Sequence, residues 1–150
     1  ITGVQMVKLV TTPIFYVNAR PHLGHAYSMV LADAIARWRR AGLSTGTDEH
    51  GVKVWRAARE HDLPVREWCD ARAAEFRGLT GTLRLQQSHR FIRTTDQEHR
   101  EKVQCAWNKM VERGDIVRGQ HSGWYVAAEE TFYGSDAEAR ATGKPVEWCR

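Results

Sequence analysis

Cysteine is scarce in the sequence, and long apolar runs, repeats and low-complexity segments are missing. The three cysteines (Cys69, Cys105 and Cys149) are odd in number and widely spaced, which predicts neither a disulfide framework nor a zinc knuckle and favours a reducing compartment. No apolar run approaches the ~18 residues of a membrane span. The first residues lack the basic and long apolar segments of a signal peptide. These absences favour a cytoplasmic location.

What is present is ordinary for a soluble globular protein. The 150 residues suffice for one domain, or for one domain and a piece of another. Hydrophobic residues make up 42% and charged residues 27%, so a packed core is expected. The net charge of +4 permits contact with a polyanion such as RNA, but the basic residues are dispersed and outline no patch.

The stretch around which the other predicted elements are organised is residues 11–25. The apolar residues 7–10 before it predict a short buried strand. Pro21 suits the entry to a helix, because proline has no N–H to leave unpaired there. The helix should carry one apolar stripe, since its large apolar side chains recur three and four residues apart: Leu23, Tyr27, Val30, Leu31, Ala34, Ile35 and Trp38.

The loop and first helical turn predict a phosphate site. A helix N-terminus offers free N–H groups and a positive dipole end, which suit an anion. His22 and His25 lie one turn apart and can donate hydrogen bonds to phosphate oxygens, while Gly24 leaves space for a base or ribose. The two histidines can also serve as metal ligands, with His50 as the further candidate, and so short a pattern also arises by chance.

Residues 41–51 read as a loop in which the acids have two interpretations. Asp48 and Glu49 can cap the helix that follows. Alternatively, Asp48 lies at a strand end facing the same crevice as His22 and holds a cationic group of a substrate. A second parallel strand should precede this loop, yet Leu43 is nearly alone there. Either that strand is very short or residues are absent between Arg40 and Thr45.

The rest of the chain changes from helices to strands. Helices are predicted over 52–62, from Pro64 to about 81, and from Thr95 to Gly114, the last with a capping box of Thr95 and Glu98. Beyond Gly114, residues 116–118 and 123–126 predict a hairpin, and residues 145–148 a further strand. A domain boundary is therefore expected at residue 114, giving domains of 1–114 and 115–150.

Four segments, in one order, resemble the methionyl-tRNA synthetase family of the class I aminoacyl-tRNA synthetases. They are T-T-P-I-F-Y-V-N-A-R-P-H-L-G-H at 11–25, T-G-T-D-E-H-G at 45–51, F-I-R-T-T-D at 91–96 with His99, and G-W-Y-x-x-x-E-E-x-F at 123–132. The resemblance implies an α/β fold. Its parallel sheet would be the first half of a Rossmann-like nucleotide-binding domain, followed by the start of an inserted, β-rich connective domain.

The resemblance also implies a reaction. Methionine and ATP, with Mg²⁺, would form methionyl-adenylate, and the methionyl group would pass to the 3′ end of tRNA(Met). His22 and His25 would contact the ATP phosphates as catalytic residues, and Gly24 would leave room for the adenosine. Asp48 would pair with the methionine ammonium, while Pro13, Ile14 and Tyr16 would line the methionine pocket, which selects mainly by shape and apolar contact.

The sequence departs from the family pattern in three places. A K-M-S-K-S loop and the second half of the nucleotide fold are absent, so the chain is expected to need that C-terminal half for aminoacylation. Val126 and Glu129 stand where zinc-binding relatives have the cysteines of Y-C-x-x-C, so no structural zinc is expected. The spacing before Thr45 is short. The zinc-free form of the motif leaves the mitochondrial matrix as the alternative location.

Two other functions compete with the synthetase. An H-x-G-H nucleotidylyltransferase would explain residues 7–25 and leave 45–51 and 123–132 without a reason. A synthetase-like module that has lost catalysis and binds ATP, RNA or a protein would explain the missing second half. Amino-acid-dependent turnover separates the synthetase from both.

Overall fold

The computed structural model describes residues 8–86 and 89–149. The chain divides into two compact units, Ile1–Val103 and Gln104–Arg150, and the division falls within the fourth helix. The predicted domain boundary at residue 114 stays a prediction. None of the described helices has the length and apolar content that a membrane span needs.

The first unit alternates strands and helices. A short strand, a segment that contains a second short strand, and a long helix follow one another between residues 9 and 39, which confirms the predicted order of strand, loop and helix. The expectation that the first strand is buried was wrong, because Leu9 and Thr11 are exposed and only Val10 is partly buried. The elements in chain order are β1 (Leu9–Thr11), β2 (Phe15–Tyr16), α1 (Leu23–Arg39), β3 (Gly42–Asp48), α2 (Val52–Glu60), α3 (Val65–Thr82), β4 (His89–Arg93) and α4 (Gln97–Glu112).

The central strand of the first sheet is β3, and its neighbours all run parallel to it. β4 pairs with residues 43–47 of β3, β1 with residues 42–44 and β2 with residues 47 and 48. Since β4 occupies one edge of β3, β1 and β2 share the other as a single interrupted strand. The carboxyl ends of these strands therefore meet at one end of the sheet, where open α/β sheets bind ligands.

Reading residues 41–51 as a loop was wrong, because residues 42–48 form β3. The polar residues that suggested a loop are buried and paired: the Thr45 and Thr12 hydroxyls lie 2.7 Å apart, and the Thr47 hydroxyl donates to Glu49 at 2.8 Å. Gly46 lies so close to β4 that a Cβ atom would come within 1.9 Å of the Ile92 carbonyl oxygen. A strand buried on both faces shows no alternation of apolar and polar residues, so its pattern failed to indicate it.

α1 is a helix as predicted, but its large apolar stripe is not the buried face. The buried side chains are Met29, Ala32, Asp33 and Ala36, whereas Leu23 is 84% and Trp38 76% exposed. The buried face thus combines Met29 with two alanines and an aspartate that accepts from Arg37 at 2.7 Å. Periodicity identifies an apolar stripe but not the surface that covers it.

The second unit contains a three-stranded antiparallel sheet in the order β6-β5-β7. Its elements are β5 (Gly123–Val126), β6 (Thr131–Tyr133), α5 (Asp136–Ala141) and β7 (Glu147–Cys149). The predicted strand near 145–148 is confirmed by β7. The predicted hairpin partner was wrong, because β5 pairs with β6 rather than with residues 116–118. Both edges of β5 are already paired, one with β6 and the other with β7, so β5 has no free edge for residues 116–118.

Candidate functional site

His22 and His25 cap the N-terminus of α1 through reciprocal hydrogen bonds. The backbone N–H of Gly24 donates to Nδ1 of His22 at 3.1 Å, and the backbone N–H of His22 donates to Nδ1 of His25 at 3.1 Å. This arrangement is a capping box built from imidazoles in place of the usual hydroxyl and carboxylate. The two rings stack with their centroids 3.8 Å apart.

The caps determine which ring nitrogens carry protons. Because each Nδ1 accepts from a backbone N–H, each neutral imidazole carries its proton on Nε2. Each ring therefore keeps one Nε2–H donor for a ligand. Protonation of either Nδ1 would place two donors face to face and break the cap. The arrangement can thus present two neutral hydrogen-bond donors beside the positive end of the helix dipole.

The His25 ring rests on two phenylalanines. Phe15 and Phe76 meet it edge to face, with ring centroids 4.9 Å and 5.0 Å away, and they stack on each other at 5.5 Å. Burial of the ring lowers the pKa of His25 from 6.5, and the neighbouring His22 lowers it further. Both effects favour the neutral imidazole that the caps require.

Gly24 is constrained by His22 itself. A Cβ atom at position 24 would lie 2.9 Å from Cε1 and 3.1 Å from Nδ1 of His22. A larger residue would push the His22 ring away from its cap. Space for an adenosine was the role predicted for this glycine. Its contact with the His22 ring is a second and separate role, which does not require a bound ligand.

The residues predicted to bind methionine gather at the carboxyl ends of the strands. Tyr16 and Asp48 are register partners on β2 and β3, so their side chains point to the same face of the sheet. Pro13 and Ile14 are exposed in the break between β1 and β2. Since Phe15 contacts His25 and precedes Tyr16, the end of β2 has the histidine pair on one side and the Tyr16–Asp48 pair on the other.

Glu49 and Arg93 form a buried ion pair at the same end of the sheet. The Glu49 side chain is fully buried and accepts from Arg93 Nε at 2.7 Å and Nη2 at 2.9 Å, and also from the hydroxyls of Thr47 and Thr95. Arg93 also donates to Asp70 at 2.6 Å. These bonds raise the pKa of Arg93, with the hydrogen bond to Glu49 as the largest cause.

This network overturns two sequence-based interpretations. Glu49 does not cap α2, whose N-cap is Gly51 without a side-chain bond. Thr95 and Glu98 do not close a capping box on α4, since Thr95 donates to Glu49 and Glu98 accepts from Arg90 and Lys102. Neighbours along the chain suggested local capping, but Thr95 bonds to Glu49 at the end of the adjacent strand, and Glu98 pairs with Arg90 of β4 and with Lys102 of its own helix. The segments T-G-T-D-E-H-G and F-I-R-T-T-D were the sequence signals for the Glu49–Arg93 network.

α3 holds the segment between β2 and α1, which the sequence did not reveal. Trp68 Nε1 donates to the Val17 carbonyl at 2.6 Å, and Glu75 accepts from Arg20 Nε at 3.1 Å. From its place in an apolar stripe, core packing is the simplest role to expect of Trp68. A tryptophan in an apolar stripe gives no hint that its N–H has a specific acceptor.

Two clefts lie near these residues. One of about 660 Å³ is lined by Glu49, His50, Arg66, Arg93 and Arg100, among others. Another of about 490 Å³ flanks His22 and includes Glu75 and Leu79. His50 lies in the first cleft and His22 lines the second. Across residues 8–86 and 89–149, no three His, Cys, Asp or Glu side chains are grouped to hold a metal ion.

A parallel sheet with an interrupted first strand and a histidine-capped helix at its carboxyl end defines a nucleotide-binding α/β domain. The solved structure of Mycobacterium tuberculosis methionyl-tRNA synthetase bound by methionyl-adenylate matches it with a TM-score of 0.84 and 37% identity, over 96% of this chain and 31% of that chain. The family model described as tRNA synthetases class I (M) matches residues 8–143, so the chain belongs to this family of class I tRNA synthetases. The predicted fold class and resemblance are confirmed.

Two curated relatives of the chain are named as methionine–tRNA ligases. A probable mitochondrial methionine–tRNA ligase of Neurospora crassa is 50% identical over 129 residues, which are 83% of this chain and 21% of that protein. A methionine–tRNA ligase of Brucella suis is 38% identical over 152 aligned residues, 93% of this chain and 29% of that protein. The chain thus spans about a fifth to three tenths of the length of these relatives.

Proposed function

We propose that the chain is the part of a methionine–tRNA ligase that binds ATP and methionine for adenylate formation. In this reaction the methionine carboxylate attacks the α-phosphorus of ATP, pyrophosphate leaves, and the methionyl group later passes to the 3′ end of tRNA(Met). The observation that carries the proposal is the reciprocal cap of His22 and His25. It leaves two Nε2–H donors at a helix N-terminus beside the carboxyl ends of parallel strands.

His22 and His25 donate to the phosphates as negative charge moves toward the leaving pyrophosphate. Donors that are already fixed need no reorganisation during the reaction, so they stabilise the transition state more than the substrate. The caps supply this fixation on one side, and the contacts of His25 with Phe15 and Phe76 supply it on the other. Gly24 keeps the His22 ring in place and leaves the adenosine room above the turn.

Asp48 holds the methionine ammonium, and Pro13, Ile14 and Tyr16 line the pocket for the side chain. The register of Tyr16 with Asp48 supports this assignment, because it puts an aromatic surface beside a carboxylate on one face of the sheet. A substrate that spans the end of β2 has its ammonium at Asp48 and its carboxylate toward the ATP on the His25 side. The methionyl-adenylate in the M. tuberculosis relative supports methionine and ATP as the substrates.

The proposal also covers the metal ions, the remaining domains of the protein and its location in the cell. Mg²⁺ arrives with ATP, whose phosphates provide its ligands. The structural zinc of some relatives is replaced: Val126 is buried, and Glu129 accepts from Lys144 at 2.7 Å and from Tyr133. The natural protein that carries this sequence, here called the parent protein, supplies the C-terminal half and the tRNA-binding parts. It acts in the cytoplasm or, as the name of the N. crassa relative suggests, in mitochondria.

The test is methionine-dependent ATP–pyrophosphate exchange by the purified parent protein, with isoleucine, leucine, valine and cysteine as controls. Exchange with methionine alone supports the adenylation step and its specificity. Exchange without any amino acid, or with a different small substrate, would favour the nucleotidylyltransferase instead. ATP binding without exchange would favour the inactive binding module.

A further inference from the structure

We propose that Trp68, Glu75 and Phe76 of α3 are positioning residues, which fix residues 17–25 so that His22 and His25 meet the ATP phosphates. This inference rests on the proposed function for its catalytic consequence. The three residues are spaced to share one helix face, and their contacts reach residues 17, 20 and 25. None of them lies in the segments that resemble the synthetase motifs.

The first contact fixes the point where the chain leaves β2. The Val17 N–H donates to the Asp48 carbonyl at 3.4 Å, and the Val17 carbonyl accepts from Trp68 Nε1 at 2.6 Å. Both Val17 and Trp68 are buried. Val17 is therefore held from two directions, by β3 and by α3, before the chain enters an irregular segment.

The second contact fixes the middle of that segment. Glu75 Oε1 accepts a hydrogen bond from Arg20 Nε at 3.1 Å, and it forms ion pairs with Arg20 Nη2 and Arg72 Nη2, each 3.0 Å away. The Arg72 guanidinium lies 4.7 Å above the Trp68 ring. Trp68, Arg72, Glu75 and Arg20 thus form a continuous chain of contacts from the core to the surface.

The third contact supports the histidine itself. Phe76 is fully buried and meets the His25 ring edge to face. Between these two anchored ends, residues 18–21 lie in neither a strand nor a helix. Their conformation, and with it the direction in which the His22 cap enters α1, depends on these tertiary contacts.

The ion pair gives a way to separate positioning from stability. The Arg20 side chain is 78% exposed, and exposed ion pairs add little to the free energy of unfolding. Glu75→Gln, which keeps an oxygen acceptor beside Arg72, should therefore leave the protein folded while the histidines lose alignment. Small misplacements of reacting groups lower kcat strongly, whereas methionine binding at Asp48 does not depend on them.

The experiment measures methionine-dependent ATP–pyrophosphate exchange by the parent protein with Glu75→Gln or Trp68→Phe. Glu75→Gln keeps the shape of its side chain and removes the charge, and Trp68→Phe keeps an aromatic ring and removes the N–H donor with the second ring of the indole. We expect kcat to fall on the order of tenfold with the methionine KM nearly unchanged. Matched controls are Glu67→Gln, an exposed glutamate in the first turn of α3, and Trp55→Phe, a half-exposed tryptophan on α2, which should retain wild-type kcat.

A second comparison asks whether Glu75 acts through His25. In a His25→Asn background, Glu75→Gln should cause no further loss of residual exchange, because the group that it aligns is gone. An equal loss in both backgrounds would overturn the inference, as would a raised methionine KM with unchanged kcat. Wild-type kcat in both α3 variants would overturn it as well.

A measurement without turnover separates failure of this inference from failure of the proposed function. In protein labelled with ¹⁵N-histidine, Glu75→Gln and Trp68→Phe should shift the ring resonances of His22 and His25, and Glu67→Gln should not. If wild-type protein shows no exchange, the proposed function fails, and these resonances still decide whether α3 positions the histidines. Unshifted resonances would reject the positioning.

Discussion

Arg93 donates two hydrogen bonds to the fully buried carboxylate of Glu49, through Nε at 2.7 Å and through Nη2 at 2.9 Å. The pair joins the loop after β3 to the end of β4. Its geometry matches the fixed fork of a guanidinium, and the remaining acceptor positions of Glu49 take the hydroxyls of Thr47 and Thr95. A buried carboxylate with a full set of donors orders this end of the sheet.

Removal of Arg93 should destabilise the sheet strongly. Arg93→Ala leaves the Glu49 carboxylate buried without its cation, which costs about 3 kcal/mol or more. Arg93→Lys keeps the charge and loses one of the two parallel bonds, for about 1 to 2 kcal/mol. Hydrogen exchange of peptides that cover β3 and β4 in the parent protein measures the local opening free energy. Arg100→Ala, in the same cleft and exposed, is the control; a comparable loss there would contradict the assignment.

Gly46→Ala should disrupt the pairing of β3 with β4. Its methyl group would lie 1.9 Å from the Ile92 carbonyl oxygen, so backbone must move, at a cost of about 3 kcal/mol or more. Gly78→Ala is a matched control in α3, where the added Cβ has no atom of the described residues within 4 Å apart from its own helical turn and chain neighbours. It should stabilise the helix by about 0.5 to 1 kcal/mol. Hydrogen exchange of the two regions checks both, and equal effects of the same sign would refute the packing argument.

Exchange activity should fall in acid as His25 becomes protonated. The folded pKa of His25 lies below the 6.5 of the unfolded chain, so the folded state binds fewer protons. Its contribution to stability is complete above pH 6.5 and is lost as the pH falls from 6.5 through the folded pKa. Protonation at Nδ1 also breaks the cap with the His22 N–H, which removes the alignment needed for activity.

The His22→Asn variant tests the cause of that low pKa. Asparagine still caps a helix, whereas the repulsion between the two imidazoles is removed. The His25 midpoint, followed by NMR, should rise toward 6.5 and stay below it, since burial is the larger cause. A midpoint that stays put or falls would show that His22 does not act on His25 electrostatically.

Asp48→Asn should weaken methionine binding while ATP binding persists. The variant keeps the shape and removes the charge that pairs with the ammonium, a loss of about 2 to 4 kcal/mol for a desolvated pair. Calorimetric titration of the parent protein with methionine and, separately, with ATP measures both. Glu60→Gln, exposed at the end of α2, provides the control. Unchanged methionine affinity in Asp48→Asn would remove Asp48 from the site.

Local signals in the sequence predicted the candidate site but not the distant contacts that support it. Pro21, the histidines three residues apart and the apolar stripe predicted the strand, loop and helix, because helix entry and amphipathic period are properties of neighbouring residues. The motifs placed the chain in its family. Trp68, Glu75 and Arg93 were missed as partners, since each contacts a residue 44 to 55 positions away.

The sequence by itself determined the strand, loop and helix at the start of the chain, the family and the spacing of the histidine pair. Only the tertiary structure decided that residues 42–48 form the central strand, because buried threonines and a glycine lose their loop-like meaning when neighbouring strands supply their partners. It also decided that α1 buries Met29, Ala32, Asp33 and Ala36 while its predicted apolar stripe stays largely exposed, and that Glu49 binds Arg93 instead of capping α2. Each of these outcomes depends on which distant part of the chain packs against a side chain. A periodic pattern within one segment does not contain that information.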